Sequence, residues 1–300
     1  MTGMDLVSCL YDVLNLVGME TIAGNVLAKQ ILQKITTETA RLSPKPALHI
    51  IVVGDDPASQ IYVRQKEKAA NKVGINFLAH VFPSKTNEKI LAEFIEKLNK
   101  DSSVSGFFIQ LPLPPHLNND YLLNLIDPRK DVDCLTAANL GLLVQNKPRF
   151  LPATAAAVEV ILKEAYFDLG GAQVVIIGRS RIAGLPIALQ ILHQNATVTI
   201  CHRQTKNLED LTKQADLLIS AMGKPGLIKA AMIKKGAGVI DIGWTRLAGK
   251  PRGDVNPKGL EKIGTFYTPV PGGVGPVTVA CLLKNVLMAH QNMLHLPHKE

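Results

Sequence analysis

Ser59, Tyr62 and Lys66 stand at i, i+3 and i+7 in the stretch Ala58–Lys66, which reads A-S-Q-I-Y-V-R-Q-K. On a helix that spacing puts a hydroxyl, a phenol and an amine on one face. The stretch follows a short apolar run, Ala47–Val53, and a polar turn, Gly54–Asp55–Asp56–Pro57. The order reads as a strand, a tight turn and a helix with Pro near its start. Ligands of open α/β sheets bind outside the carboxyl ends of the strands, so these groups form a candidate reactive surface. An ordinary solvated helix face has the same spacing, and spacing alone does not separate the two.

A second constellation follows the apolar run Ala172–Ile177. Its turn reads Gly178–Arg179–Ser180–Arg181–Ile182–Ala183–Gly184–Leu185–Pro186. This departs from the G-x-G-x-x-G fingerprint: Ser180 takes the place of the second glycine, and Gly184 falls beyond the third. The context is stronger than the motif, with a strand before, a helix after and another strand beyond. Gly178 permits a tight turn, and free N–H groups at the helix start hold a phosphate. Pro186 costs little in the first turns of that helix. An NAD site carries an acidic residue at the end of the second strand. Here Thr197–Cys201 runs into His202–Arg203, with Lys206 close by and no carboxylate before Glu209. Arg179, Arg181 and Arg203 instead suit an extra phosphate, which selects NADP over NAD. The alternative is that these arginines only decorate a loop.

The elements that must position these groups alternate. Strands are expected at Ala47–Val53, Ile75–Phe82 and Val104–Leu111, and helices at Ile22–Leu42, Pro57–Val73, Asn87–Asn99 and from Asn118. A polar loop, Asp127–Asp133, follows, and apart from Asp133 its charges read as solvated. Phe150–Pro152 reads as a join. Beyond it come a helix at Thr154–Ala165 and strands at Ala172–Ile177, Thr197–Cys201, Leu217–Ala221 and Gly238–Ile242. The helix between the first two of these strands is Ala183–Gln194. A Gly- and Pro-rich loop, Thr268–Pro276, precedes a last helix, Val277–Met293. Strand–helix alternation implies parallel sheets covered on both faces, and 300 residues imply two domains.

The net charge of +8 favours anionic partners. No basic run is interleaved with aromatics and no zinc-finger spacing occurs, so nucleic acid is not expected. No apolar run is long enough to cross a bilayer. Cys9, Cys134, Cys201 and Cys281 are scattered, which reads as reduced thiols in a cytoplasmic protein without a metal site. His80, His116, His193 and His290 show no ligand spacing. Met1–Glu20 lacks the basic start of a signal peptide, and Leu6, Leu10, Val13 and Val17 approximate a helical stripe.

Five blocks occur in order: Ala58–Lys66, Gln110–Pro114 (Q-L-P-L-P), Lys130–Asp133 (K-D-V-D), Gly178–Pro186, and Thr268–Ala280 (T-P-V-P-G-G-V-G-P-V-T-V-A). Together they resemble the bifunctional methylene-tetrahydrofolate dehydrogenase and methenyl-tetrahydrofolate cyclohydrolase family, from about Ala23 to the last helix. The resemblance implies two α/β domains with a cleft between them. Residues 1–150, completed by 277–300, would form a three-layer catalytic domain that binds folate. Residues 151–276 would form a Rossmann-like NADP-binding domain. It also implies a homodimer paired through the cofactor domain. The lysine matching Lys66 is the family's acid/base residue in the cyclohydrolase step. Tyr62 matches a tyrosine against the folate, Gln110 a glutamine that orients the lysine, and Asp133 the aspartate that binds the pterin. Pro271, Gly272, Gly273, Val274, Gly275, Pro276, Val277 and Thr278 match the loop lining the substrate pocket. Gly178, Arg179 and Ser180 match the cofactor turn, Arg203 is placed beside the extra phosphate, and Trp244 matches a backbone cofactor contact.

The implied chemistry suits these residue types. Hydride departure from the methylene carbon needs no protein base, since the nitrogen lone pairs stabilise the cation left behind. Hydrolysis of that cation needs a proton to move, and a neutral lysine can take it. Free lysine has a pKa of roughly 10.4, so burial and a substrate cation must lower it. Cys134 stands where the family commonly has glycine, and would put a Cβ and a sulfur beside Asp133 to tighten or reshape its pocket. Pro152–Ala153–Thr154–Ala155, Trp244–Thr245 and Ala23–Gly24–Asn25 also depart from the family pattern. Two other readings stay open: a two-domain dehydrogenase of the shikimate type, and a folate- or dinucleotide-binding protein that has lost catalysis.

Overall fold

A computed structural model describes residues 19–295. The helical stripe expected from Leu6 to Val17 lies outside the described residues. In chain order the elements are β1 (Glu20–Thr21), α1 (Gly24–Ala40), β2 (Ala47–Val53), α2 (Pro57–Lys72), β3 (Asn76–Phe82), α3 (Glu88–Lys100), β4 (Gly106–Ile109), α4 (Asn119–Asn124), α5 (Ala137–Val144) and α6 (Ala153–Glu164). They continue with β5 (Gln173–Ile177), α7 (Gly184–Leu192), β6 (Thr197–Cys201), α8 (Leu208–Thr212), β7 (Leu217–Ser220), β8 (Gly238–Asp241), β9 (Thr245–Leu247), β10 (Lys250–Arg252), β11 (Phe266–Tyr267) and α9 (Val274–His295). The chain divides into two compact units.

One unit takes Asn25–Val160, Arg181–Gln190 and the chain from Pro276. Its sheet is parallel, in the order β3-β2-β4. Side chains of β2 alternate between two cores, as a pleated strand requires. Leu48, Ile50 and Val52 join Phe108, Val63 and Ala70 of α2, and Leu283, Val286 and Leu287 of α9. Ile51 and Val53 join Phe107, Ile109 and Leu91, Ile95 and Leu98 of α3. Each such aliphatic side chain contributes roughly 1.5–3 kcal/mol when fully buried. Asn285 on α9 donates to the carbonyls of Val132 and Leu151, at 3.0 and 2.8 Å, fixing the last helix to this unit.

The other unit takes described residues 19–24, Ile161–Ser180 and Ile191–Gly275. Its six strands are all parallel, in the order β1-β11-β8-β7-β5-β6. Val174, Ile176, Leu217, Ile219 and Ile240 are buried. Val175, Ile177, Leu218 and Val239 build a core with Ile228, Ile233 and Leu260. The fold class is therefore two α/β units, one of them Rossmann-like, as expected.

Three local expectations are corrected. The helix α9 starts at Val274, so the Gly- and Pro-rich loop ends earlier than Pro276. Pro276 sits in the first turn, where its missing N–H costs nothing. The Asp127–Asp133 segment is not a solvated loop: Lys130 and Asp131 are buried. Lys130 Nζ donates to the carbonyls of Leu98 and Asp101, at 2.8 and 2.6 Å. Asp131 accepts from Thr136 N (2.9 Å) and Asn139 Nδ2 (3.0 Å), which opens α5, a helix not expected. The strand expected over Val104–Leu111 is shorter, Gly106–Ile109.

Candidate active site

The reactive face is set by the start of α2. Asp56 caps the helix, its carboxylate accepting from Ser59 N and Ser59 Oγ, both at 2.8 Å. Ser59 is buried and its hydroxyl is spent on this cap, so of the face expected from spacing only Tyr62 and Lys66 are left for chemistry. Val63 and Ala70 turn into the core and so fix the roll of the helix.

Lys66 Nζ donates to Gln110 Oε1 at 3.0 Å. Gln110 follows β4; its backbone N–H bonds Ile51 O at 2.8 Å, and its Nε2 donates to Leu111 O at 3.0 Å. With its amide nitrogen anchored, the side chain presents only its oxygen to the lysine. Nζ also lies 4.3 Å from the centroid of the Phe108 ring. Phe108 is buried in β4, and neither periodicity nor motif singled it out. Burial lowers the Lys66 pKa from its ordinary 10.5, and the Asp133 charge opposes that shift. Burial raises the Asp133 carboxyl, Lys66 opposes, and Asp131 adds to the rise. Each group of this coupled pair is thus pushed toward its neutral form by desolvation and back toward its charged form by the other. The Tyr62 phenol is pushed up to about 12 by burial, so it stays protonated.

Asp133 is presented by the K-D-V-D segment, which runs beside β4 with Phe107 N donating to Lys130 O at 2.9 Å. Cys134 does not tighten the pocket of Asp133. Its side chain is buried in the apolar core with Val132 and Phe150, its sulfur 3.4 Å from Phe150 O. The cost falls on the backbone, which takes φ 61° at a residue with a Cβ.

In the second unit Gly178 ends β5 with φ 122°, and a Cβ there would lie 2.7 Å from Ala221 O. Only glycine fits. Arg179 and Ser180 beyond it are exposed. Arg181 pairs with Asp120 at the surface. The start of α7 groups with the other unit, and its first N–H groups lack helical partners. After β6 the chain makes a tight turn, His202 N donating to Thr205 Oγ1 and Thr205 N to His202 O, both at 2.8 Å. Arg203 is exposed on that turn. Trp244 follows β8 and is half-buried. These residues fit a dinucleotide: the turn admits close approach, and the cations meet the charge of its phosphates.

Pro271 and Gly275 are exposed, and Gly272, Pro276 and Thr278 are partly so. Gly273, Val274 and Val277 are buried. The Val274 and Val277 side chains are buried in the interior. Among the described residues no three His, Cys, Asp or Glu side chains gather where a metal ion would be held, and no helix is long and apolar enough to cross a membrane.

A half-buried amine steered by an amide in one α/β unit, and a glycine turn on a parallel sheet in the other, define a two-domain dinucleotide-dependent enzyme. Residues 22–133 match the model of the tetrahydrofolate dehydrogenase/cyclohydrolase catalytic domain, and residues 152–294 that family's NAD(P)-binding domain. The bifunctional protein FolD of Acetivibrio thermocellus is 43% identical over 274 residues, covering 90% of this chain and 96% of that protein. The crystal structure of the bifunctional FolD enzyme of Campylobacter jejuni has a TM-score of 0.89 at 40% identity, covering 91% and 99% of the two chains. That of Trypanosoma brucei FolD, complexed with NADP cofactor and inhibitor, has a TM-score of 0.90 at 36% identity, covering 93% and 100%. The chain belongs to the tetrahydrofolate dehydrogenase/cyclohydrolase family.

Proposed function

We propose that this protein oxidises 5,10-methylenetetrahydrofolate to the methenyl form with NADP, then hydrolyses that product to 10-formyltetrahydrofolate. The observation that carries the reading is the Lys66 amine, desolvated and aimed by Gln110 within the family's catalytic domain. NADP, when bound, supplies the acceptor for the departing hydride. Gly178, Arg179, Ser180, Arg203 and the backbone at Trp244 would hold it.

Asp133 accepts hydrogen bonds from the amino-pyrimidinone edge of the pterin, whose donors offset the cost of keeping that carboxylate buried. Tyr62 lies against the folate, and the loop that lines the substrate pocket in the family corresponds to Pro271–Thr278. In the hydrolytic step neutral Lys66 removes a proton from the water that attacks the methenyl carbon. It returns a proton to the ring nitrogen as the ring opens, and Gln110 keeps the amine pointed at both. The protein acts as a homodimer: β6 is an edge strand, and Ile200 on it and Leu192 before it are exposed, which supports pairing through this unit. Sedimentation at assay concentration tests that state. Cys134, Cys201 and Cys281 are buried free thiols, which supports a reducing compartment, the cytoplasm.

The experiment follows reduced cofactor and methenyl absorbance together, with NADP against NAD, in the parent and in Lys66→Met. The variant is expected to pile up methenyl product, its hydrolysis down about a thousandfold or more and hydride transfer reduced far less. Hydrolysis at the parent rate in Lys66→Met rejects the assignment.

A further inference from the structure

In the six-stranded sheet β5 has β6 on one side and β7 on the other, so the winding reverses between β5 and β7. Open parallel sheets bind their ligand outside the carboxyl ends of the strands at such a reversal. One wall of that crevice is the Gly178 turn. The other is the segment after β7, which starts at Ala221 and has no regular structure through Lys224. The walls meet directly: Ala221 N donates to Ile177 O at 2.8 Å.

What holds the second wall is a carboxylate. Asp254 is fully buried. Its Oδ2 accepts from Ser220 Oγ at 2.8 Å, Met222 N at 2.7 Å and Gly223 N at 3.3 Å, and its Oδ1 from Lys224 N at 2.6 Å. The three backbone N–H groups can only donate, so the residue that holds them must present acceptor oxygens. Asp254 is itself held by Asp241, the equally buried last residue of β8. Asp241 Oδ1 accepts from Gly243 N (2.9 Å) and Asp254 N (3.0 Å), and its Oδ2 from Val255 N (2.9 Å). Asp241 faces Asp254 and Tyr267, and burial pushes its carboxyl up to about 7.

Two glycines are cut to seat these groups. A Cβ at Gly243 would lie 2.1 Å from Asp254 Cγ, and one at Gly253 2.0 Å from Asp241 Oδ2. Thr245 Oγ1 donates to Gly223 O at 2.8 Å, which ties the Trp244 segment to the same wall. Desolvating two carboxylates is costly. Here the return is a rigid backbone where a dinucleotide must dock.

We propose that Asp254, seated by Asp241, is a positioning residue for the dinucleotide: it presets the wall formed by residues 221–224 and the segment carrying Trp244. The inference rests on the NADP-dependent reading above. It touches no reacting atom, so its removal should weaken cofactor binding and spare the step in which no dinucleotide reacts.

The test measures NADP binding by calorimetry, the KM for NADP, and methenyl hydrolysis in full-length Asp254→Asn and Ser220→Ala. In Asp254→Asn an amide faces N–H donors, and the Kd and KM for NADP are expected to rise about tenfold or more. Hydrolysis should stay within about twofold. Ser220→Ala loses one of the bonds to Asp254 and keeps the rest. Its Kd for NADP should rise about twofold to tenfold, the worth of one such bond. Parental NADP affinity in Ser220→Ala together with an unfolded or unaltered Asp254→Asn overturns the proposal. So does an equal loss of both activities in Asp254→Asn. A parent protein that binds no NADP overturns the functional reading instead, and is seen before any variant is made.

Discussion

Cys134 places strain and packing in one residue. Its backbone occupies the left-handed region while its sulfur fills the core. Glycine there would relieve about 1 kcal/mol of strain. It would lose about as much in buried surface and unfolded-chain entropy. Cys134→Gly is therefore expected to shift stability by no more than about 1 kcal/mol, whereas Cys134→Val, β-branched at a positive φ, should cost about 2 kcal/mol or more. Urea unfolding of both variants measures the contrast, and equal losses would show that packing rather than backbone decides. At this scale the sequence pointed to Tyr62, Lys66, Gln110 and Asp133 because ordered blocks carry them, and the structure joins Lys66 to Gln110. Ser59 was misread because helical spacing does not distinguish a reactive hydroxyl from one bonded to a capping aspartate. Asp241 and Asp254 were invisible, since single aspartates announce nothing until the chain folds their hydrogen-bond donors around them.

At the level of elements, β2 and β3 are joined by more than their ladder. His80 Nε2 lies 3.0 Å from His49 Nδ1, and the His80 ring meets Phe94 edge-on at 4.6 Å. Only one proton fits between the two nitrogens. Burial holds both pKa values below the ordinary 6.5; His80 depresses His49 further, and Lys97 depresses His80 further. A histidine whose pKa falls on folding leaves the unfolded chain holding more protons in acid, so stability is lost as pH drops below about 6.5. The urea midpoint is expected to fall between pH 7 and pH 5, and His80→Gln should flatten that fall; an identical slope in the variant would clear the pair. This contact joins residues far apart in the chain, which is why ligand spacing could not reveal it. Strands such as β2, β5 and β6 were legible because turns bound continuous apolar or β-branched runs. The two-residue strands β1 and β11 were not, because they exist only through long-range pairing: Glu20 with Phe266 and Thr21 with Tyr267, and Tyr267 in turn with Val239 of β8. The hairpin β9–β10 hid behind Ala248–Gly249, a turn with positive φ at both residues but without the usual Asn or Asp.

For the whole molecule, the net charge of +8 makes attraction of an anionic dinucleotide a matter of ionic strength. The value of kcat/KM for NADP is expected to fall as salt shortens the Debye length from about 10 Å at 0.1 M. Arg179→Ala with Arg203→Ala should raise the KM for NADP about tenfold and that for NAD little, while reducing the salt dependence. Equal effects on both cofactors would separate these arginines from the extra phosphate. Finally, the sulfurs are distributed so that each unit carries its own timer. Cys201 is sealed in the core of the dinucleotide unit, and Cys134 and Cys281 are buried in the other. With Cys9 replaced by Ser, a thiol reagent can label each only when its surroundings open. Mass spectrometry of the labelled peptides would then record which half of the enzyme breathes first, and which half a bound cofactor quiets.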